Sequence, residues 1–250
     1  MKISVITCCW NSEPFIAECI ASVQAQSHQD WEQVFVDGGS TDGTLERIQT
    51  LAANDARVRW LTDVRGGISN AMNVGAELGH GDVLIHLHAD DYLAGPEVLA
   101  QVATHFRDPA VTWVFGRMDA DIDGQRETPS WAMPPYSYSR LLRGNFIMHP
   151  SVFMRREIFL AAGGFDTSLK YAMDYDYWLR VARLRAPRPI ELTTSVFRRH
   201  AGSVSTANAF KAFVEDHEVR RRHVGRNPFA QLYHELIFKY RVWRRWRGHA

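Results

Sequence analysis

Val83-Leu84-Ile85-His86-Leu87-His88-Ala89-Asp90-Asp91 is the stretch on which the reading of this chain turns. An apolar, strand-like run leads directly into two adjacent carboxylates. Open α/β sheets bind ligands at the C-terminal ends of their strands, so a strand here delivers both acids to that edge. Neighbouring carboxylates repel each other and are best tolerated beside a cation or a row of hydroxyls. A hard divalent metal holding a diphosphate meets that need, because Mg²⁺ takes one or two carboxylates together with phosphate oxygens. The competing reading is a solvated turn or helix cap before Gly95-Pro96-Glu97, where Asp is common.

Upstream, strands and helices alternate. Ile3 to Thr7 is an apolar β run, and Asn11-Ser12-Glu13-Pro14 supplies a cap with proline in the first helical turn. Phe15, Ile16, Cys19, Ile20 and Val23 then recur at helical spacing. Trp31 to Val36 predicts a second strand. It ends in the turn Asp37-Gly38-Gly39-Ser40-Thr41-Asp42-Gly43-Thr44, before a helix carrying Leu45, Ile48 and Leu51. Val58 to Leu61 predicts a third strand and Ala71 to Leu78 part of a third helix. This alternation implies a mainly parallel sheet with right-handed crossovers.

The pattern changes after about residue 110. Val111 to Phe115 and Arg117 to Asp123 read as two strands, and Thr128 to Ser139, with its prolines, as a loop. A strand over Ser151 to Met154, helices over Arg156 to Ala162 and Asp174 to Leu184, and a strand over Pro189 to Phe197 follow. The tail from Asn208 reads as two helices broken near Gly225-Arg226-Asn227-Pro228. The expectation is one α/β domain over 1–206, split into halves 1–110 and 111–206, with a helical basic tail over 207–250.

A chain of 250 residues can bury a sizeable core, and its net charge of +1 gives no bulk attraction for nucleic acid. No apolar run approaches a membrane span, and the start lacks a signal-peptide core. Cys8, Cys9 and Cys19 form no CxxC pair, which suits a reducing cytoplasm better than a disulfide framework.

Four loops belong to one sheet edge: Cys8 to Asn11, Asp37 to Gly43, Asp63 to Asn70, and His88 to Asp91. Trp10 there can stack on a flat base, as aromatic faces do. Asp37 can accept a hydrogen bond from a base N–H, and Gly66 and Gly67 allow close backbone approach to a ligand. Taken singly, Trp10 also suits core packing, and Asp37 or Asp42 a helix cap. Farther on, Asp174 stands where a helix begins, with Tyr177, Trp178 and Val181 turning inward. That setting suits a general base, and equally an N-cap. Arg198 can contact phosphate and His200 can ligate a metal, although a lone histidine often does neither.

Read in order, these stretches resemble family 2 glycosyltransferases of the GT-A fold, the bacterial enzymes of O-antigen, capsule and exopolysaccharide assembly. Ser4-Val5-Ile6-Thr7-Cys8-Cys9-Trp10-Asn11 is similar to the family opening SVIxPxYN, and Ser22-Val23-Gln24-Ala25-Gln26 to SVxxQ. Val36 to Thr44 resembles VDGGSTDGT, and Gly67 to Gly75 resembles GIYDAMNKG. Asp90-Asp91 matches the last acids of the metal motif. Gly163-Gly164-Phe165-Asp166 with Asp174 to Arg180 resembles GGFD…(E)DYDLWLR, and Arg198, His200 and Ser203 to Ser205 resemble RxHxxSxS.

The resemblance implies an inverting transfer from a nucleotide-sugar donor, with a lean to UDP, to a saccharide or lipid-linked saccharide acceptor. By it, Cys8, Trp10 and Asp37 line the base pocket, with Asn11 and Gly67 at the nucleotide sugar. Asp90 holds the ribose, Asp91 binds Mg²⁺ or Mn²⁺, and His200 is a second metal or diphosphate contact. Asp174 is the catalytic base. Departures are Cys8 for proline, Trp10 for tyrosine, His88 for the usual Asp or Asn, and Met173 for Glu. A sugar nucleotidyltransferase is the first rival, but it needs a glycine-rich N-terminal loop with basic residues, which Cys8-Cys9-Trp10-Asn11 lacks. A noncatalytic nucleotide-sugar-binding module would not need Asp91, Asp174 and His200 together. The aromatic, arginine-rich tail has the composition of a helix lying on the cytoplasmic face of a membrane, or of one packing an apolar stripe on the domain.

Overall fold

The computed structural model describes residues 1–130, 133–200 and 208–247. Ser203 to Ser205, and the side chains of Arg245 and Trp246, lie outside the described residues. The strands β1 (Ile3–Cys9), β2 (Trp31–Asp37), β3 (Val58–Leu61) and β4 (Val83–His86) pair in parallel in the order β3-β2-β1-β4. Helices α1 (Glu13–Gln24), α2 (Thr44–Asn54) and α3 (Gly67–Leu78) connect them. Every residue of β1 and β2 is buried, as expected for parallel strands covered on both faces.

Along β1 the period of two sorts the core. Ile3 and Val5 pack with Trp31, Val83 and Ile85 on one face, while Ile6 and Cys8 pack with Val34, Val36 and Met72 on the other. Helix α3 approaches closely through Gly75, where a Cβ would collide with the Ile6 side chain and lie 3.1 Å from Val36 Cγ2.

The second half completes one mixed sheet. After β5 (Tyr92–Leu93) and α4 (Val98–His105) come β6 (Trp113–Ile122), β7 (Gln125–Glu127), β8 (Val152–Arg155) and β9 (Arg188–Arg199). The order continues β4-β8-β6-β9-β5, with β7 on β6. β8 runs antiparallel to both β4 and β6, β6 runs parallel to β9, and β5 pairs antiparallel with β9. The parallel order expected from the alternation thus holds in the first half, and the sheet as a whole is mixed.

The two strands expected on either side of Gly116 are one strand with a shifted register at Phe115/Arg117/Met118. A Cβ at Gly116 would sit 2.5 Å from the Leu192 carbonyl oxygen, so glycine lets two backbones meet there. The proline-rich loop yields at Ser137 to a short α5 (Tyr138–Arg143), capped by the Ser137 hydroxyl on Arg140 N–H.

Helices α6 (Arg156–Ala161) and α7 (Met173–Leu184) cover one face. The tail forms α8 (Ala209–Val224) and α9 (Pro228–Arg247), broken where expected. α8 packs on α5 and α7, and α9 on α8 through the stacked rings of His217 and Phe238, 4.0 Å apart. Among the described residues no helix is long and apolar enough to cross a membrane.

Gly75→Val forces extra methyls into the α3–β1 contact. It is expected to lower stability by about 1–3 kcal/mol, the usual cost of overpacking, as checked by urea unfolding.

Candidate active site

The parallel order puts the ends of β1, β2, β3 and β4 on one edge. Pairing continues past β4, with Leu87 N–H donating to Ile6 O at 2.9 Å and Ala89 N–H to Cys8 O at 3.3 Å. His88 to Asp91 therefore run beside Cys8 to Trp10. The β1 and β2 loops are joined as well. Asn11, in the left-handed region at φ 48°, accepts from Thr41 N–H at 2.8 Å, and its own N–H donates to Ser40 Oγ at 2.8 Å. Ser12 N–H donates to Thr44 Oγ1 at 2.8 Å. The Asn11 side chain, expected at the ligand, is committed to this junction.

Trp10 is 67% exposed and borders Gly38, where a Cβ would lie 3.4 Å from Trp10 Cδ1. Cys8 is packed in the core with Ile6, Val34 and Val36, and burial pushes its thiol up to about 12. It shapes the floor beneath the loop and offers no polar contact. Asp37 is fully buried, and its oxygens already accept from Gly39 N–H, from Ser40 N–H and Oγ, and from Thr62 Oγ1 at 2.8 Å. Burial raises its carboxyl, but together these donors outweigh that and hold it below the ordinary value. A base N–H reaches Asp37 only by displacing one of them. Gly67, at φ +85°, is exposed and has open space where a Cβ would stand.

β5 pairs with β9 in the register Tyr92↔Val196, which carries Arg198 and His200 to the acids. Asp91 is 1% exposed and accepts from Arg198 N–H at 3.1 Å. Burial, then the neighbouring Asp90, pushes its carboxyl well above the usual range. His200 Nε2 lies 3.1 Å from Asp90 Oδ2, and its ring packs on Phe15 at 4.5 Å. His200 is thus Asp90's partner here. The Arg198 guanidinium, expected on a phosphate, is instead paired with Glu18 and with Asp121 at 3.4 Å. It also lies over the rings of Phe15 and Tyr92. Two carboxylates already offset its charge.

Among the described residues no three His, Cys, Asp or Glu side chains form a ready metal cage. The Asp90–Asp91 pair, one half-buried and one buried, fits the other mode, in which one or two carboxylates share a divalent cation with substrate phosphates and water.

Asp174 opens α7, half-buried, accepting from its neighbour's Tyr175 N–H at 2.6 Å and from Asn145 Nδ2 at 3.2 Å. Burial, then the charge of Asp216, pushes its carboxyl up to about 7. Asp176 differs. Its oxygens pair with Arg180 at 2.7 Å and His223 at 2.9 Å, which outweigh burial and keep it low.

A ring ladder that sequence reading missed links the end of β4 to α7. His88 stacks on His149 at 5.1 Å, and His149 lies 6.0 Å from Trp178, one turn along α7 from Asp174. Burial lowers His88 and His149, so both are neutral. Only the turn signal Met148-His149-Pro150 could have marked this residue.

Residues 4–160, more than half of the chain, match the family described as Glycosyl transferase family 2. The chain belongs to that family. It is 32% identical over 201 residues to the O-antigen biosynthesis protein RfbC of Myxococcus xanthus, covering 79% of this chain and 16% of that protein. The chain therefore spans only about a sixth of that relative. Among solved structures, S. aureus TarS in complex with UDP-GlcNAc superposes with a TM-score of 0.74 at 18% identity, over 95% of this chain and 70% of that one. The mannosyltransferase PcManGT from Pyrobaculum calidifontis, in complex with GDP-Man and Mn²⁺, gives 0.64 at 20% identity, over 94% and 69%. At these identities the likeness is one of fold, and that fold is GT-A.

Because the folded carboxyl of Asp174 titrates near 7 and the unfolded one near 4, wild type loses stability as pH rises between them. Asp174→Asn is therefore expected to melt higher than wild type at pH 8 and no higher at pH 4, as read by thermal unfolding.

Proposed function

We propose that this chain is an inverting, divalent-metal-dependent glycosyltransferase. In this reading it moves a sugar from a nucleotide-sugar donor, with UDP favoured, to a hydroxyl of a saccharide or lipid-linked saccharide in surface polysaccharide assembly. The observation that carries the reading is the division of labour among carboxyls. Asp174 is raised to about 7 at a helix start, while Asp91 sits beside Asp90 at a strand end with its carboxyl held high by burial despite the nearby Arg198. A carboxyl raised by burial toward the working pH suits a general base, and a buried acid whose ionised form is disfavoured suits a cation. Family membership, the UDP-GlcNAc complex of TarS and the Mn²⁺ complex of PcManGT support the donor and metal parts.

Donor binding falls to the β1, β2 and β4 loops. Trp10 offers an open indole face to the base, Gly67 a bare backbone approach, and Asp90 a carboxylate for the ribose hydroxyls. Asp91, with Asp90 and His200 beside it, would hold the cation, which when bound supplies Lewis-acid relief of charge on the diphosphate. Asp174 accepts the proton of the acceptor hydroxyl as its oxygen attacks the anomeric carbon. The bond to the diphosphate oxygen breaks, and its electron pair leaves with the nucleoside diphosphate. Asn145 and the Tyr175 N–H hold the carboxylate in place. A positioned base of this kind contributes roughly 10²–10⁴-fold.

Asp174→Asn is expected to lower transfer by roughly 10²–10⁴-fold while leaving Mn²⁺-dependent UDP affinity within about two-fold. Wild-type turnover should fall as pH drops through about 7, where Asp174 becomes protonated. Asp91→Ala should show the opposite pattern, with UDP no longer raising its melting temperature in Mn²⁺. Parallel loss of UDP binding in both variants would assign Asp174 to a structural cap.

Membrane contact rests on α9. Phe229, Leu232, Tyr233, Leu236, Tyr240 and Trp243 are all exposed, with Lys239 and Arg244 beside them. These residues recur at helical spacing on one face, the form of a helix lying in a bilayer interface. Wild-type protein is expected to float with phosphatidylglycerol vesicles, and a Leu236→Glu/Trp243→Glu variant is not. Equal flotation removes this part of the reading.

A further inference from the structure

Behind Asp174 lies a second charged cluster that the transfer chemistry leaves unused. Arg220 of α8 is 1% exposed, yet its Nε and Nη1 have no hydrogen-bond partner among the described residues. Leaving the donors of a buried guanidinium unmade is costly, and a resident anion would relieve that cost. Arg220 lies near the Tyr175 hydroxyl, which donates to the carbonyls of Leu141 at 2.8 Å and Leu142 at 3.1 Å.

A second guanidinium arrives from α9. Arg241 Nη1 donates to the Arg143 carbonyl at 3.0 Å and would lie 3.5 Å from a Cβ on Gly144. The next residue, Asn145, is the one bonded to Asp174. Burial, then Arg220, holds Arg241 below the ordinary arginine value, and burial, then Arg220, lowers His234. Arg220 and Arg241 are thus near enough to repel, with Asp216 as a neighbouring acid.

We propose that Arg220 and Arg241 form a binding site for a phosphate group carried by the acceptor, placed beside Asp174. This rests on the transferase reading and names its acceptor class. Phosphate suits the pair better than carboxylate, because its additional oxygens accept from two guanidinium forks approaching along different helices. Arg241, half-buried, is the outer contact and Arg220 the inner one. Soluble glycosyl phosphates and lipid-linked saccharides both carry such a group. The exposed apolar face of α9, opposite Arg241, favours the lipid-linked source.

The test uses inorganic pyrophosphate as probe, titrated calorimetrically in EDTA so that the metal-dependent donor site stays silent. Wild type and Asp91→Asn are expected to bind it equally, and Arg241→Gln at least ten-fold more weakly while keeping the wild-type melting profile. Loss of binding in Asp91→Asn, or full binding in Arg241→Gln, overturns the site. Glucuronate should bind at least ten-fold more weakly than pyrophosphate, and equal binding overturns the phosphate assignment. Polyisoprenyl phosphate in vesicles and glucose 1-phosphate in solution separate the two sources. Competition with pyrophosphate by either supports the site, and competition by neither overturns it. UDP titration with Mn²⁺ on the same proteins keeps the readings apart. Pyrophosphate binding without UDP binding sinks the transferase reading and not the anion site, and the reverse sinks the site alone.

Discussion

Two adjacent carboxylates at the end of a buried strand are a charge problem, and much of the cleft is built around it. Asp91 is almost wholly enclosed, so its ionised form gains little from solvent. The sheet answers in part by bringing β9 alongside β5, which gives Asp91 a backbone N–H and Asp90 an imidazole. The nearest guanidinium, Arg198, is already shared between Glu18 and Asp121, so its charge does not close the deficit. The pair therefore keeps a deficit of positive charge while its backbone is held in place by β9.

Burial does different work at the other acid. Asp174 and Asp176 stand two residues apart in the first turn of one helix, where the dipole lowers both carboxyls. Asp176 meets Arg180 and His223 and stays ionised as a structural anchor for α7. Asp174 has only an amide and a neutral side-chain donor, with Asp216 nearby, and is held near neutrality. One short motif thus yields one carboxyl kept low and one raised to about 7, separated by which partners the surrounding elements supply.

The first half of the fold was legible because its signals are local. Period-two apolar runs, a proline in a first turn, and acids or glycines at strand ends specify strands, helices and the loop-bearing edge without knowledge of distant residues. The second half was less legible because strand partnership is not local. Nothing near Val152 says that β8 inserts antiparallel between β4 and β6, and the shift at Gly116 depends on the backbone of Leu192. In the candidate site, the partners of several residues were not legible. Asn11 and Arg198 look like ligand contacts until Thr41, Glu18 and Asp121 are seen to claim them. The ladder His88–His149–Trp178 joins three distant segments through ring contacts that no spacing rule encodes.

Helix α9 shows how one periodicity can serve two surfaces. Residues 229, 232, 236, 240 and 243 step round one side at intervals of three or four and leave apolar side chains exposed. His234, Phe238 and Arg241 step round the other with the same spacing, stacking on His217 and reaching the α5 carbonyl that borders Asn145. A helix 20 residues long is about 30 Å end to end, so it can lie across the domain while offering aromatic rings outward along its length.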